Sequence, residues 1–299
     1  MATFPIPVTS PFSFARTLAF VRAFPPCQGD FVVGADALTG AVAHGDRAVA
    51  YTLRGARALT LDTDDPAIVP AVADLVGAAD DLARFYAAAA GDPAFAPVVA
   101  RLHGLHHVRF RSLEEATVYA VLMQRTPVAV AAALKRRFLA AFGLAVDIAG
   151  ATLRVTPGFR RLVELDGDAI GAAIGHRGKG AAIARAVRGV AAIDEALLRT
   201  GPYGAARDAL LAVPGLGPFS AGAILLRGLG RMDELPGMRW FEREARRVYG
   251  DGFDADAIRA RYGRDLGYWS YYLKADAGRA RRAARRGRAR RVVVVATVA

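Results

Sequence analysis

Cysteine is almost missing from this chain of 299 residues, where Cys27 stands alone. One thiol closes no disulfide within the chain and supplies no four-cysteine iron–sulfur cluster, so both are excluded. Long apolar runs are missing too. No stretch of eighteen apolar residues occurs, and Arg16 and Arg22 interrupt the N-terminal apolar region, so neither a spanning helix nor a secretory leader is expected. A cytoplasmic location follows as the expectation, with no membrane contact. The five histidines, His44, His103, His106, His107 and His176, show no helical spacing with a carboxylate that marks a catalytic metal. Neither a metal nor a cofactor is expected, and no internal repeat is visible.

What is present is material for real cores: 54% of the residues are hydrophobic and 23% charged, the balance of a globular, multidomain protein. The formal charge of +12 looks at first like a general nucleic-acid signature. Eight of the positive charges, Arg279, Arg281, Arg282, Arg285, Arg286, Arg288, Arg290 and Arg291, sit in the last twenty-one residues, so the rest of the chain carries only +4. Such a tail binds phosphates by counterion release without reading sequence, or stays a solvated extension.

The pattern predicts an α+β protein. An antiparallel meander is expected over 29–64, with strands around Leu38 to Ala43, Ala48 to Leu53 and Ala58 to Leu61 and a His44-Gly45-Asp46-Arg47 turn, preceded by an apolar segment (Phe12, Phe14, Leu18, Phe20, Val21) that Pro25-Pro26 ends. From Asp65 the apolar residues fall at helical spacing, and everything to about Lys274 reads as helix. Ser112 lies three residues before Glu115 at the capping-box distance, and helices fit Val128 to Phe142, Gly167 to Ile174, Lys179 to Val190 and Ala206 to Val213. The expected division is an N-terminal sheet domain over 1–104, an all-helical domain over 105–275 and a basic, disordered tail over 276–299.

The most informative stretch is Val213-Pro214-Gly215-Leu216-Gly217-Pro218-Phe219-Ser220-Ala221-Gly222. Two glycines in a tight turn, with Pro218 opening the next helix, describe a helix-hairpin-helix. Backbone N–H groups at Gly215 and Gly217, with the first helical turn at Ser220, offer a seat to a DNA phosphate that positions the protein and reads no base.

Together with Glu115 to Ala132, Gly175 to Ile183 and Gly267 to Tyr272 in the same order, this motif resembles the alkylpurine (3-methyladenine type II) branch of the helix-hairpin-helix DNA glycosylases. The likeness covers nearly everything before the tail. It implies a monomer acting on double-stranded DNA that holds damaged bases, which flips an alkylated purine of the 3-methyladenine/7-methylguanine class out of the stack and cleaves its N-glycosidic bond in base excision repair. Gln124 and Arg125 fall at the duplex wedge. Phe219, Tyr268 and Trp269 fall at the base pocket, Phe14 and Phe20 are placed to close it, and Tyr271 and Tyr272 read rather as core. Relatives with lyase activity carry a lysine two residues after the second glycine; Phe219 stands there, so a one-step hydrolysis without a Schiff base is implied.

One departure matters. The catalytic aspartate of the family lies six residues after the position of Asp233, which gives Arg239 here, while the neighbouring alignments give Met238 or Gly237. None is a carboxylate. Glu242, three residues on along the same helical face, is the candidate substitute, with Asp233 as a turn or capping residue. The alternative is a catalytically inactive damaged-DNA-binding protein of the same fold. A sequence-specific regulator fits less well, since no recognition helix stands out.

Overall fold

The computed structural model describes residues 1–55, 58–235 and 239–280, with backbone alone at 239 and 240. The expected N-terminal sheet is there, and it is larger than the meander. Strands β1 (Ala2–Ile6), β2 (Val32–Val33), β3 (Ala37–His44), β4 (Arg47–Gly55) and β5 (Leu59–Thr63) form one antiparallel sheet in the order β1-β5-β4-β3-β2. Alternation does the sorting: Val49, Tyr51 and Leu53 on β4 and Leu59 and Leu61 on β5 point inward, with more exposed residues between them. His44 pairs with Arg47, so Gly45-Asp46 makes the two-residue turn that the sequence announced.

Beyond residue 65 the chain is helical with one exception. Strands β6 (Leu144–Ile148) and β7 (Ala151–Val155) form a hairpin inside the segment expected to be all helix. Its turn residues Ala149 and Gly150 both have positive φ, +52° and +74°, as a type I′ turn demands. Leu144, Leu153 and Val155 pack with Ala41 of β3, so the hairpin rests against the N-terminal sheet.

Two large cores hold the molecule together. One joins the N-terminal sheet and the Phe14–Ala23 helix to residues far along the chain, among them Leu226, Phe241, Tyr262 and Tyr271. The other unites the helices between Leu113 and Leu229. Core packing therefore does not divide at residue 104: the last described helix, over 266–280, is a member of the N-terminal core. That helix also runs past the expected boundary at 275, and Asp276 on it pairs with Arg101 at 2.9 Å. Residues 281–299, where the disordered tail was expected, lie outside the described residues.

Candidate functional site

The Leu113–Met123 helix begins as its sequence predicts, with the Ser112 hydroxyl accepting from the Glu115 N–H at 3.2 Å. Its other end is held from outside. Lys179, on the Arg177–Ala191 helix, donates from Nζ to the carbonyls of Val121 (3.1 Å) and Gln124 (3.0 Å), and the Thr126 hydroxyl also donates to Gln124 O. An ammonium on the last carbonyls of a helix satisfies acceptors that lack an intrahelical partner and meets the negative end of the dipole. Arg125, the next residue, is exposed and held at φ +51°, a conformation rare for a side chain of its size.

Gln124, expected at the wedge, turns away from the tip. Its Nε2 donates to Gly215 O at 2.8 Å and to Ser220 Oγ at 2.9 Å, joining this turn to the hairpin between the Tyr203–Leu211 and Pro218–Ala223 helices. Ser220 is buried and its hydroxyl is engaged, so only its N–H remains to meet a phosphate. No hydrogen bond among the described residues takes up the N–H of Gly215, Gly217, Phe219 or Ser220. Gly215 has φ +93°, and a Cβ at either glycine would meet open space.

Below this turn and hairpin opens a cavity of about 120 Å³ at the seam of the two cores. An apolar cavity of roughly 150 Å³ holds one six-membered aromatic ring. Phe219 is on its wall, together with Phe24, Phe110 and Phe241. Tyr268 and Trp269 are not. Tyr268 is buried with its hydroxyl donating to Asp80, and Trp269 is buried with Nε1 donating to Tyr249 at 3.0 Å, so both belong to the core. Tyr271, read as core, is on the wall instead. The register of the last helix decides this: Ser270, Tyr271 and Lys274 share the face that looks into the cavity, and Tyr268 and Trp269 point elsewhere. Neither Phe14 nor Phe20 is on the wall; the Phe20 ring centre lies 4.8 Å from that of Tyr271, tilted at 53° to it.

The acid candidates fall outside. Glu242 is exposed and absent from the wall, although Phe241 beside it is present. Arg239 opens the Arg239–Tyr249 helix, but its side chain, like residues Gly237 and Met238, lies outside the described residues. Asp233 is partly exposed and 3.6 Å from Arg231. Among the described residues no carboxylate lines the cavity.

Sequence reasoning missed three basic residues on the wall: Arg227, His107 and Lys274. Arg227 sits in a π-helical turn, Ile224–Gly228, a bulge common at functional sites. Its guanidinium lies 4.7 Å from the Phe24 ring centre and 5.5 Å from that of Tyr271, and Nη1 donates to His107 Nε2 at 2.8 Å. Burial and the neighbouring Arg227 hold His107 well below the usual histidine range, so it is neutral. The Lys274 ammonium is 4.7 Å above the Phe24 ring, and burial, reinforced by Arg227, pushes its pKa down to about 7.

No protein-family model matches the chain. Over 190 residues it is 32% identical to a probable bifunctional transcriptional activator/DNA repair enzyme AlkA of Mycobacterium tuberculosis, represented by two strains. The match covers 62% of this chain and 34% of that protein, so the chain spans about a third of the length of the curated relatives it matches. The fold is that of the helix-hairpin-helix DNA glycosylases. It superposes on 3-methyladenine DNA glycosylase from Archaeoglobus fulgidus with TM-score 0.74 and 19% identity, over 91% of this chain and 97% of that one. On the 8-oxoguanine glycosylase/lyase of Clostridium acetobutylicum the TM-score is 0.65 with 13% identity, over 80% and 85%. The resemblance read from the sequence thus extends to the whole architecture.

Proposed function

We propose that the chain is a monofunctional DNA N-glycosylase, which draws a damaged nucleotide out of the duplex and hydrolyses its glycosidic bond. The observation that carries this reading is that Gln124 ties the turn at Arg125 to the hairpin with its open N–H groups, while Met123, Val128 and Phe219, close to these residues in sequence, line the aromatic cavity. The hairpin seats a phosphate, Arg125 fills the gap left in the stack, and the extruded base enters the cavity between Phe219 and Phe24. Alkylated purines are the class that the resemblance suggests, and the similarity to a 3-methyladenine DNA glycosylase supports it. Phe219 in place of a lysine supports hydrolysis without a lyase step.

The wall without a carboxylate favours a second reading, a damaged-DNA binder of the same fold that cleaves nothing. Single-turnover base release from duplexes carrying methylated, oxidised and deaminated purines separates the two. Release of any of these bases at a rate that scales with enzyme establishes the glycosylase. Tight binding to the lesion duplexes with no release at all establishes the binder.

A further inference from the structure

Residue 124 is held from two sides. Its carbonyl accepts from Lys179 Nζ at 3.0 Å and from the Thr126 hydroxyl at 2.8 Å, while its side-chain amide donates to Gly215 O at 2.8 Å and to Ser220 Oγ at 2.9 Å. Lys179 and Ser220 are buried, so water competes poorly at either end. The residue next to these bonds, Arg125, is exposed and has φ +51°. Glycine or asparagine takes that conformation readily, and arginine does not. The bonds at 124, with Thr126 N–H closing the turn onto Met123 O at 3.2 Å, therefore set the direction in which Arg125 leaves the surface.

The hairpin end of this linkage is made by residues of the phosphate seat. Gly215 combines an open N–H with a carbonyl bound to Gln124, and Ser220 combines an open N–H with a hydroxyl bound to Gln124. A phosphate drawn to those N–H groups fixes the same two residues that hold the amide.

The other end explains the stretch from Gly175 to Ile183. Gly180 lets the Arg177–Ala191 helix lie so close to the Gly167–Ile174 helix that a Cβ there would meet Gly171 N at 2.3 Å. His176 Nδ1 accepts from the Lys179 N–H at 3.3 Å and caps the first turn. Lys179 is thus carried to the turn by a closely packed helix.

We infer that Gln124 and Lys179 are positioning residues that hold Arg125 ready to enter the duplex, and that Gln124 makes its entry conditional on a filled phosphate seat. This rests on the reading of Arg125 as the wedge and of the hairpin as the seat. Lys179 fixes the turn at all times, and Gln124 passes on the state of the hairpin.

The test uses the full chain and two duplexes, each with a 2-aminopurine whose fluorescence rises when it unstacks. One places it beside 2′-fluoro-7-methylguanine, the other beside a tetrahydrofuran abasic site, which needs no base pocket and so reads the wedge alone. Gln124→Met keeps the side chain's length and loses its donor. It is expected to lower extrusion at saturating duplex by about tenfold or more, while affinity for plain duplex falls less than about threefold. Arg125→Ala gives a similar loss, and adding Gln124→Met or Lys179→Met to it gives little more, because all act through one side chain. In the native chain Gly217→Asp lowers extrusion even where excess protein restores full binding, and in Gln124→Met it has no further effect there. Full extrusion by Gln124→Met, or losses that add to that of Arg125→Ala, overturn the inference and leave the glycosylase reading standing. Extrusion at neither duplex by the native chain overturns both.

Discussion

The chain contains only three lysines, Lys135, Lys179 and Lys274, among forty basic residues. Each works inside the protein: Lys135 in a buried ion cluster, Lys179 on the carbonyls behind Arg125, and Lys274 at the cavity. Most of the arginines serve the surface, but Arg111 shares the buried cluster with Lys135 and Arg227 shares the cavity wall with Lys274. That scarcity was a readable signal for Lys274, and the aromatic neighbours of Lys274 drew attention away from it. Its protonation also bears on stability. The unfolded chain keeps this proton up to the ordinary lysine value near 10.4 and the native chain loses it at about 7, so unfolding takes up a proton in between and stability rises with pH across that window. Lys274→Met is expected to flatten the rise in denaturant titrations, and an unchanged slope would show that the ammonium is solvated. At the hairpin, Gly217→Asp places a carboxylate in open space without straining the backbone. It is expected to weaken binding to lesion and plain duplexes alike by about tenfold or more, with an unaltered melting temperature. Unaffected binding would remove the phosphate seat.

Elements were legible where their punctuation was conventional. Ser112 and Glu115 opened a helix, Pro218 opened another, and Gly45-Asp46 turned a hairpin, each as local chemistry predicts. The β6–β7 hairpin escaped because its turn is Ala149-Gly150, and alanine is an unusual occupant of positive φ. The π turn at Arg227 has no sequence signature at all. The same limit explains Gln124: its side chain was assigned to the duplex, but the partners that claim it, Gly215 and Ser220, are more than ninety residues away in sequence. For the turn at Arg125, Lys179→Met removes two charge-assisted hydrogen bonds, and a loss of about 2 kcal/mol is expected. If the lysine also positions the turn, the variant extrudes bases poorly even where it is fully folded. Gly180→Ala is a harsher change, because its Cβ would come within 2.3 Å of Gly171 N and 2.4 Å of Gly167 O, backbone atoms of the adjacent helix. Thermal melting is expected to show at least ~3 kcal/mol lost.

For the whole molecule, the division into a sheet-bearing start and a helical remainder was readable from the change of period near Asp65. The closure of the first core by the last helix was not, because no local pattern encodes which distant face an apolar helix will meet. The two parts are also tied by charge. Asp30 and Glu115 meet Arg111 and Lys135 in a buried group of two acids and two bases, with Lys135 also donating to Pro26 O at 3.0 Å. Arg111 and Lys135 hold the Glu115 carboxyl well below the usual range, so its contribution is complete above the ordinary glutamate value near 4.3 and is lost as the pH falls through the lowered one. Glu115→Gln leaves positive charge uncompensated in the interior and is expected to cost ~3–5 kcal/mol at neutral pH by chemical denaturation. A cost near zero would mean that water reaches the cluster.

The cavity wall draws Phe24 from one end of the described chain, Phe219 from the hairpin and Lys274 from the other end. Contacts so far apart in sequence form late in folding, since loop closure must come first. The hairpin, whose parts are neighbours in sequence, needs no such closure. On the proposed function, the seat for a phosphate is therefore complete before the pocket for a base.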